Sequence, residues 1–219
     1  MKAQTITTQI NIENLGFILI HEYLLTKPPR ILAKREPSVL PYDGMVLDDV
    51  NKAVQEVRSF YKAGGRTIVE ATPITYGRNI TGSLKIAKRV PEVSIIASTG
   101  FYLAGTFTNK FIKMNDRKLA EIMIKELTDG IENTSCKAGI IKIAVGYFRI
   151  HPLEKKTLEA AAIAHQETEA PIQVHTTFGM MVIEIVNTFK ELAVDPHKVL
   201  LLHMDTNLDI WNMIKTLEK

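Results

Sequence analysis

The chain has 219 residues, of which 46% are apolar, and this length and composition are enough for a folded core and exclude a disordered chain. Its 27 basic and 24 acidic residues are scattered and give a formal charge of +3, which excludes nucleic acid as an expected partner. There is no apolar run near 18 residues and only one cysteine, Cys136, so we expect a soluble cytoplasmic protein without a membrane partner or an internal disulfide.

Short β-branched apolar runs alternate with longer segments of helical period, which predicts parallel strands joined by crossover helices. The predicted strands lie near 15–21, 66–72, 93–99, 138–145, 170–176 and 198–204. The predicted helices lie near 46–63, 78–90, 115–132, 154–168, 179–193 and 208–218. These six strand–helix pairs are expected to form one domain over residues 1–219.

Two α/β architectures show this alternation, the open doubly wound sheet and the barrel. The glycine-rich turn of the nucleotide-binding open sheet is missing after residues 15–21, which favours the barrel. The predicted fold class is therefore α/β, a TIM-type (β/α)8 barrel with about six of its eight βα units. Six units leave two open sheet edges, so we expect a homo-oligomer or completion by another chain.

The first predicted strand, within LGFILIHEYLL at 15–25, carries a histidine after an apolar run. Alternation along a strand would place His21 and Tyr23 on one face. A proline-rich segment at 26–44 follows this strand, where α/β barrels place their active-site loops. A lone buried histidine is commonly a packing residue, so a functional role for His21 depends on whether other strands end on similar residues.

The fourth predicted strand, AGIIKIAV, contains Lys142 in its apolar interior. Burying an unpaired ammonium costs several kcal/mol or lowers its pKa, so the lysine needs compensation. It could be a neutral nucleophile in a Schiff-base lyase, pair with a carboxylate, or be carboxylated and bridge two metal ions. The alternative without a function is a lysine whose side chain extends to solvent.

The last two predicted strands end on His175 and His203. Alternation groups Leu201 with His203 and Asp205 on one face. Histidines at the ends of separate strands favour a metal site over a catalytic triad, because imidazole binds divalent metals and no nucleophile elbow is present. Metal ions bound there could lower the pKa of a water molecule and polarise a carbonyl or phosphoryl oxygen. This chemistry indicates a hydrolase.

Six segments in order, LGFILIHEYLL, GGRTIVEAT, IIASTGFYL, GIIKIAVG, PIQVHTT and LLLHMDT, resemble the first six strand segments of the phosphotriesterase family in the amidohydrolase superfamily. That family includes phosphotriesterases and lactonases. The resemblance implies a (β/α)8 barrel with two divalent metals, in which a metal-activated hydroxide attacks a small-molecule ester, lactone or phosphoester. Zinc is the expected metal, with cobalt, manganese and iron as alternatives.

The resemblance also implies roles for single residues. Lys142 matches the carboxylated lysine that bridges the metals, and His175 and His203 match the ligands of the more exposed metal. His21 matches the first histidine of a His-x-His pair that binds the buried metal. Tyr23 stands in place of the second histidine, and a phenol is a poor ligand at neutral pH, so we expect a packing residue or a broken site.

The family's last ligand, an aspartate on the eighth strand, has no counterpart in the 219 residues, so we expect a barrel truncated at its C-terminus. This departure keeps open a degenerate relative that binds metal with weak or no activity. We expect Asp205 to be a helix N-cap and Glu70 to be an inward polar partner or a member of a salt bridge. Phe101, Tyr102 and the proline-rich segment are the expected pocket walls.

Overall fold

The computed structural model describes residues 1–30 and 45–218. Within them the strands are Lys2–Gln4 (β1), Gln9–Asn11 (β2), Phe17–Glu22 (β3), Gly65–Glu70 (β4), Ser94–Gly100 (β5), Ala138–Val145 (β6), Ile172–Thr176 (β7) and Val199–Leu202 (β8). The α-helices are Val50–Lys62 (α1), Ile80–Arg89 (α2), Asn109–Ile112 (α3), Asp116–Thr128 (α4), Pro152–Thr168 (α5), Val182–Glu191 (α6) and Ile210–Leu217 (α7). The predicted alternation of strands and helices is confirmed, with boundaries shifted by a few residues.

The chain divides into two compact units, Met1–Thr99 with Lys125–Ile140 and Gly100–Ile124 with Ile141–Lys219. In the first unit β3 pairs in parallel with β4, and β4 pairs in parallel with β5. In the second unit β6 pairs in parallel with β7, and β7 pairs in parallel with β8. Parallel pairing in chain order is the arrangement that βα units produce, because each helix returns the chain to the end of the sheet at which the next strand begins.

Side chains at the helix ends explain where the main helices begin. Asp49 accepts hydrogen bonds from the backbone N–H groups of Asn51 and Lys52 at the start of α1. His151 and Glu154 form a capping box at the start of α5, which also has a proline in its first turn. These contacts satisfy N–H groups that have no partner inside the helix.

The core of the first unit is an apolar cluster of its helices and strands. Its most deeply buried members include Leu25, Val54, Val57, Ile68, Ile80, Ile86, Ile95 and Ile131. In the second unit, β6 and β7 are buried along almost their whole length, and Ile141, Ile143, Val145, Ile172 and Val174 are fully buried. Burying one such side chain stabilises the fold by about 1.5–3 kcal/mol, so a polar residue on these strands needs a specific reason.

Two strands at the N-terminus were not predicted. β1 and β2 form an antiparallel hairpin in which Lys2 lies opposite Asn11. Its turn is closed by Thr5, whose hydroxyl donates to the Thr8 carbonyl at 2.7 Å and accepts from the Thr8 N–H at 3.1 Å. Three-residue strands are too short for a period-two pattern to distinguish them from a loop.

The predicted last strand was too long. β8 ends at Leu202, and His203 follows it with a left-handed φ of 63°, so the predicted grouping of Leu201, His203 and Asp205 on one face is wrong. Asp205 lies in a 3-10 turn, Met204–Thr206, and Asp209 accepts the N-terminal hydrogen bond of α7. The prediction of Asp205 as the N-cap is therefore also wrong.

Residues 31–44, which contain most of the predicted proline-rich pocket wall, lie outside the described residues. On either side of them, Thr26 and Leu47 exchange backbone hydrogen bonds of 2.8 and 2.9 Å. Cys136 is buried with a free thiol. Across residues 1–30 and 45–218, every helix is too short or too polar to cross a membrane.

Candidate functional site

Lys142 lies in the middle of β6 and its residue is fully buried. The prediction that it might simply extend to solvent is therefore excluded. Burial lowers the pKa of the Lys142 amine well below its usual range, since a charged ammonium loses its hydration there. A neutral amine is a nucleophile, and it is also the form of lysine that reacts with carbon dioxide to give a carbamate.

The end of β5 approaches the backbone of Lys142 closely. Gly100 has a φ of 113°, and a Cβ atom on it would lie 2.1 Å from the Lys142 carbonyl oxygen. Only glycine fits both the dihedral angle and the space. Sequence reasoning missed this residue, although a glycine at a strand end is a recognised signal of close backbone approach.

His175 and His203 lie side by side in the second unit. Their ring centroids are 4.6 Å apart and the rings are almost perpendicular, at 71°. Burial lowers the pKa of His203, a protonated Lys142 would lower it further, and Asp205 opposes the shift. A neutral imidazole is the form that binds a metal ion, so this environment favours His203 as a ligand.

Of the two predicted pocket residues, Tyr102 contacts His175 and Phe101 packs elsewhere. The Tyr102 hydroxyl lies 3.3 Å from Nε2 of His175, and the two ring centroids are 5.0 Å apart. Phe101 is fully buried and packs against Phe107 and Phe111, with ring centroids at 5.6 and 5.2 Å. Phe101 therefore supports the loop after β5, while Tyr102 reaches the histidine.

A buried carboxylate, Glu154, joins two loops of the second unit. It accepts hydrogen bonds from the backbone N–H groups of Ala104 at 3.1 Å, Gly146 at 3.1 Å and His151 at 3.0 Å. These donors lie in the loops that follow β5 and β6. Sequence reasoning missed Glu154 as a site residue because in a linear sequence it resembles an ordinary acidic residue in a first helical turn.

Three exposed aromatic side chains follow β6 and β7. Tyr147, Phe148 and Phe178 are 52%, 65% and 51% exposed, and Tyr147 contacts the other two with ring centroids at 4.2 and 5.6 Å. Phe148 and Phe178 have left-handed φ angles near 55°, a conformation that non-glycine residues adopt at an energetic cost and often at functional sites. Thr177, next to Phe178, donates to the Val145 carbonyl at 3.1 Å, which ties the loop to β6.

In the first unit, His21 is the penultimate residue of β3 and Tyr23 follows the strand. The Tyr23 hydroxyl is 3.4 Å from Nε2 of His21, and the ring centroids are 5.4 Å apart. Burial raises the pKa of the Tyr23 phenol above its usual range, and Tyr76 and Glu70 raise it further. In the absence of a metal ion Tyr23 is therefore a neutral phenol, which is a poorer metal ligand than an imidazole.

Glu70 is a buried carboxyl group at the end of β4, as its predicted inward role requires. It accepts hydrogen bonds from the Thr72 hydroxyl, from the Thr72 N–H at 3.3 Å and from the Leu24 N–H at 3.4 Å. Burial raises the pKa of Glu70 to about 7, against the opposing effects of these hydrogen bonds and of Arg78. Glu70 fixes the turn that contains Tyr23.

The donor atoms of the second unit fit a divalent metal only if the lysine takes part. Among residues 1–30 and 45–218, there is no group of three His, Cys, Asp or Glu side chains that could hold a metal ion. His175 and His203 supply two nitrogen ligands, and carboxylation of the buried, readily neutral Lys142 would supply an oxygen ligand. The set is chemically adequate for one ion.

A separate cavity of about 700 Å³ lies between α6, β8 and α7. Its walls are mainly apolar and include Phe189, Leu201 and Met213, and the described residues that line it include none of the predicted ligands. It lacks the convergent polar groups of a catalytic pocket. The candidate chemistry therefore belongs to the histidine and lysine cluster.

A sequence profile of the phosphotriesterase family matches residues 1–219. A phospho-furanose lactonase of Mycoplasmopsis synoviae is 29% identical over 99% of this chain and 64% of its own length. An aryldialkylphosphatase of Saccharolobus solfataricus is 32% identical over 91% of this chain and 63% of its own length. The chain thus spans less than two thirds of the length of these relatives.

A crystal structure of a lactonase from Listeria monocytogenes superposes on the whole of this chain with a TM-score of 0.89 and 30% identity. The superposition covers 70% of the lactonase chain. A phosphotriesterase homology protein from Escherichia coli, solved with phosphate in its active site, superposes on 94% of this chain with a TM-score of 0.84. This likeness confirms the predicted TIM-type barrel fold, of which the chain contains six βα units.

The raised pKa of Glu70 predicts a specific pH dependence of stability. The folded state holds the proton more tightly than the unfolded state, whose carboxyl has the ordinary value of 4.5. The free energy of unfolding of the wild type should therefore fall, relative to Glu70→Gln, as the pH rises from 4.5 to 7. The expected change in the difference is roughly 3 kcal/mol, and urea denaturation at a series of pH values measures it.

Hydrogen bonds lost in Glu70→Gln change the difference in the free energy of unfolding by an amount that does not depend on pH. Only the slope of that difference against pH is therefore diagnostic. Glu56→Gln, which changes an exposed carboxyl on α1, is the matched control. A difference that stays flat between pH 4.5 and 7 would show that the pKa of Glu70 in the folded protein is not raised above its ordinary value.

Proposed function

Because the chain belongs to the phosphotriesterase family, we propose that it is a metal-dependent hydrolase of a small-molecule ester, lactone or phosphoester. The observation that carries the proposal is the fully buried Lys142 in the same unit as the paired rings of His175 and His203. Burying an amine in an apolar strand costs stability, and a chemical role would explain why the chain keeps it there. The names of the lactonase and aryldialkylphosphatase relatives support the reaction class.

We assign each residue a role in the site. Lys142 as a carbamate, His175 and His203 are the proposed metal ligands, and zinc is the proposed ion, with cobalt, manganese or iron as alternatives. A bound divalent ion would polarise the substrate oxygen and lower the pKa of a water molecule. Tyr102 holds the His175 ring through its hydroxyl and ring contacts. Glu154 holds the two adjoining loops in place.

The exposed aromatic side chains Tyr147, Phe148 and Phe178 are the proposed contact surface for the apolar part of the substrate. Phe178 follows His175 by three residues, and the loop containing it is tied to β6. Clustered exposed aromatic rings are costly in water and are typical of binding surfaces. The proposed substrate therefore has a small reacting group and an apolar substituent.

Replacing Lys142 by Met tests the proposed chemistry. We expect hydrolysis of γ-butyrolactone, p-nitrophenyl acetate and a diethyl aryl phosphotriester to fall at least about 100-fold, because the proposed ligand is lost. Thermal stability should be kept or raised, since Met fills similar space without a buried amine. Lys155→Met, on the exposed surface of α5, is the matched control.

Two further measurements separate this proposal from Schiff-base chemistry. After equilibration with ¹³C-bicarbonate, wild-type protein should show a carbamate carbon signal that Lys142→Met lacks. A chelator should abolish hydrolysis, and added zinc should restore it. Covalent trapping of a carbonyl substrate on Lys142 by borohydride, in metal-free protein, would instead establish the lyase and overturn the hydrolase.

Removing the aromatic surface should change substrate preference. In Tyr147→Ala with Phe178→Ala, we expect kcat/KM for γ-nonalactone to fall roughly 10-fold, because about 1.5 kcal/mol of apolar contact is lost, with little change for γ-butyrolactone. Phe17→Ala, which removes an exposed phenylalanine of the first unit, is the control. Equal losses for both lactones would contradict the assignment, because damage to the catalytic groups would affect both substrates alike.

We also propose that the chain forms a homo-oligomer through α7. Leu208, Ile210, Trp211 and Leu217 at this helix are 93%, 64%, 72% and 87% exposed. Together they present roughly 600 Å² of apolar surface, compared with about 800 Å² per partner in a standard interface. A second copy of the same face would cover it, because a twofold interface pairs identical patches.

Light scattering on the whole chain measures this assembly. The wild type should have the mass of a dimer or larger, and Trp211→Glu should shift it to a monomer, because a buried charge has no partner in the interface. Gln9→Glu, an exposed change in β2, is the control for added charge. A monodisperse wild-type monomer would overturn the proposal.

A further inference from the structure

The phenol of Tyr23 lies where it can satisfy a ring nitrogen of His21. The hydroxyl is 3.4 Å from Nε2, and the rings meet edge to face at 65°. A neutral imidazole has one nitrogen with a free lone pair, and a donor hydroxyl and a metal ion compete for it. Nε2 is one of the two ring nitrogens that a ligand histidine can offer to an ion, and the phenol lies against it.

Neighbouring residues hold Tyr23 in this position. Its ring lies 5.5 Å from that of Tyr76, which is buried and whose backbone carbonyl accepts a 2.7 Å hydrogen bond from the Thr26 hydroxyl. Glu70 accepts from the N–H of Leu24, the residue after Tyr23. The tyrosine ring is thus packed on one side and its backbone is anchored through its neighbour, so a rotation of the ring away from His21 would lose its contact with Tyr76.

We infer that Tyr23 closes the His21 position of the first unit to metal, so that the protein takes one divalent ion, on Lys142, His175 and His203 of the second unit, where the family resemblance implies two. This inference rests on the proposed function for the remaining ion. Two further observations on the described residues of the first unit support it. They contain no cluster of three His, Cys, Asp or Glu side chains for an ion, and the phenol that replaces the expected imidazole is itself packed.

Metal content per chain tests the inference directly. Wild-type protein, saturated with zinc and then freed of excess ion by gel filtration, should contain one equivalent by plasma mass spectrometry. Tyr23→His, which restores a second imidazole two residues after His21, should contain two. Tyr23→Phe, which removes only the hydroxyl, should stay at one, since a single histidine is too few ligands.

Thr7→His, which adds an exposed histidine to the first unit, is the matched control for adventitious binding and should also stay at one equivalent. Two equivalents in the wild type, or one in a folded Tyr23→His, would overturn the inference and leave the proposed hydrolase intact. No bound zinc in the wild type would overturn both, because the Lys142 site would itself be absent.

A second readout needs neither metal nor activity. In metal-free protein, ¹⁵N NMR of the histidine side chains should show the Nε2 signal of His21 shifting between the wild type and Tyr23→Phe, because the hydroxyl is removed. The other histidine signals should be unchanged. An unmoved His21 signal would overturn the inference even if Tyr23→His failed to fold.

Discussion

The site depends on one unfavourable interaction, the burial of the Lys142 amine in the interior of β6. Six of the eight residues of that strand are apolar side chains that stabilise the sheet by leaving water, and the lysine is carried into the same environment. The loss of hydration lowers its pKa and makes a neutral amine available. The loss of hydration that makes the buried lysine unfavourable is therefore also what makes its amine neutral.

The rest of the second unit is arranged around this lysine. Gly100 permits the end of β5 to meet the Lys142 carbonyl, and Glu154 ties the loops after β5 and β6 with three backbone hydrogen bonds. The left-handed turn at His203 follows β8 and brings its ring against His175. Phe148, Phe178 and His203, which have left-handed backbone angles, lie in the loops after β6, β7 and β8, where parallel α/β folds place their sites.

Tyr23 stands in the first unit where the family resemblance implies a histidine. Burial raises the pKa of its phenol, and the hydroxyl lies 3.4 Å from Nε2 of His21. Glu70, whose pKa burial raises to about 7, accepts a hydrogen bond from the N–H of Leu24 in the turn beside it. The Tyr23 ring is packed against Tyr76, and the chain superposes over its whole length on the Listeria lactonase.

The amino-acid sequence by itself determined the alternation of strands and helices, the family, and the presence of Lys142 inside an apolar strand. Each of these depends on local periodicity or on ordered motifs, which survive without knowledge of contacts. The sequence did not predict the short β1–β2 hairpin or the early end of β8 before His203. The first is set by a threonine-closed turn and the second by a single left-handed residue.

Only the tertiary structure decided which side chains meet. It brought His175 against His203 and Tyr102, turned Phe101 into the core, and placed the Tyr23 hydroxyl at the His21 ring. It also identified Glu154, which a linear sequence cannot distinguish from any other acidic residue at the start of a helix. The physical reason is that burial and contact between residues distant in the chain, rather than residue type, determine protonation and orientation.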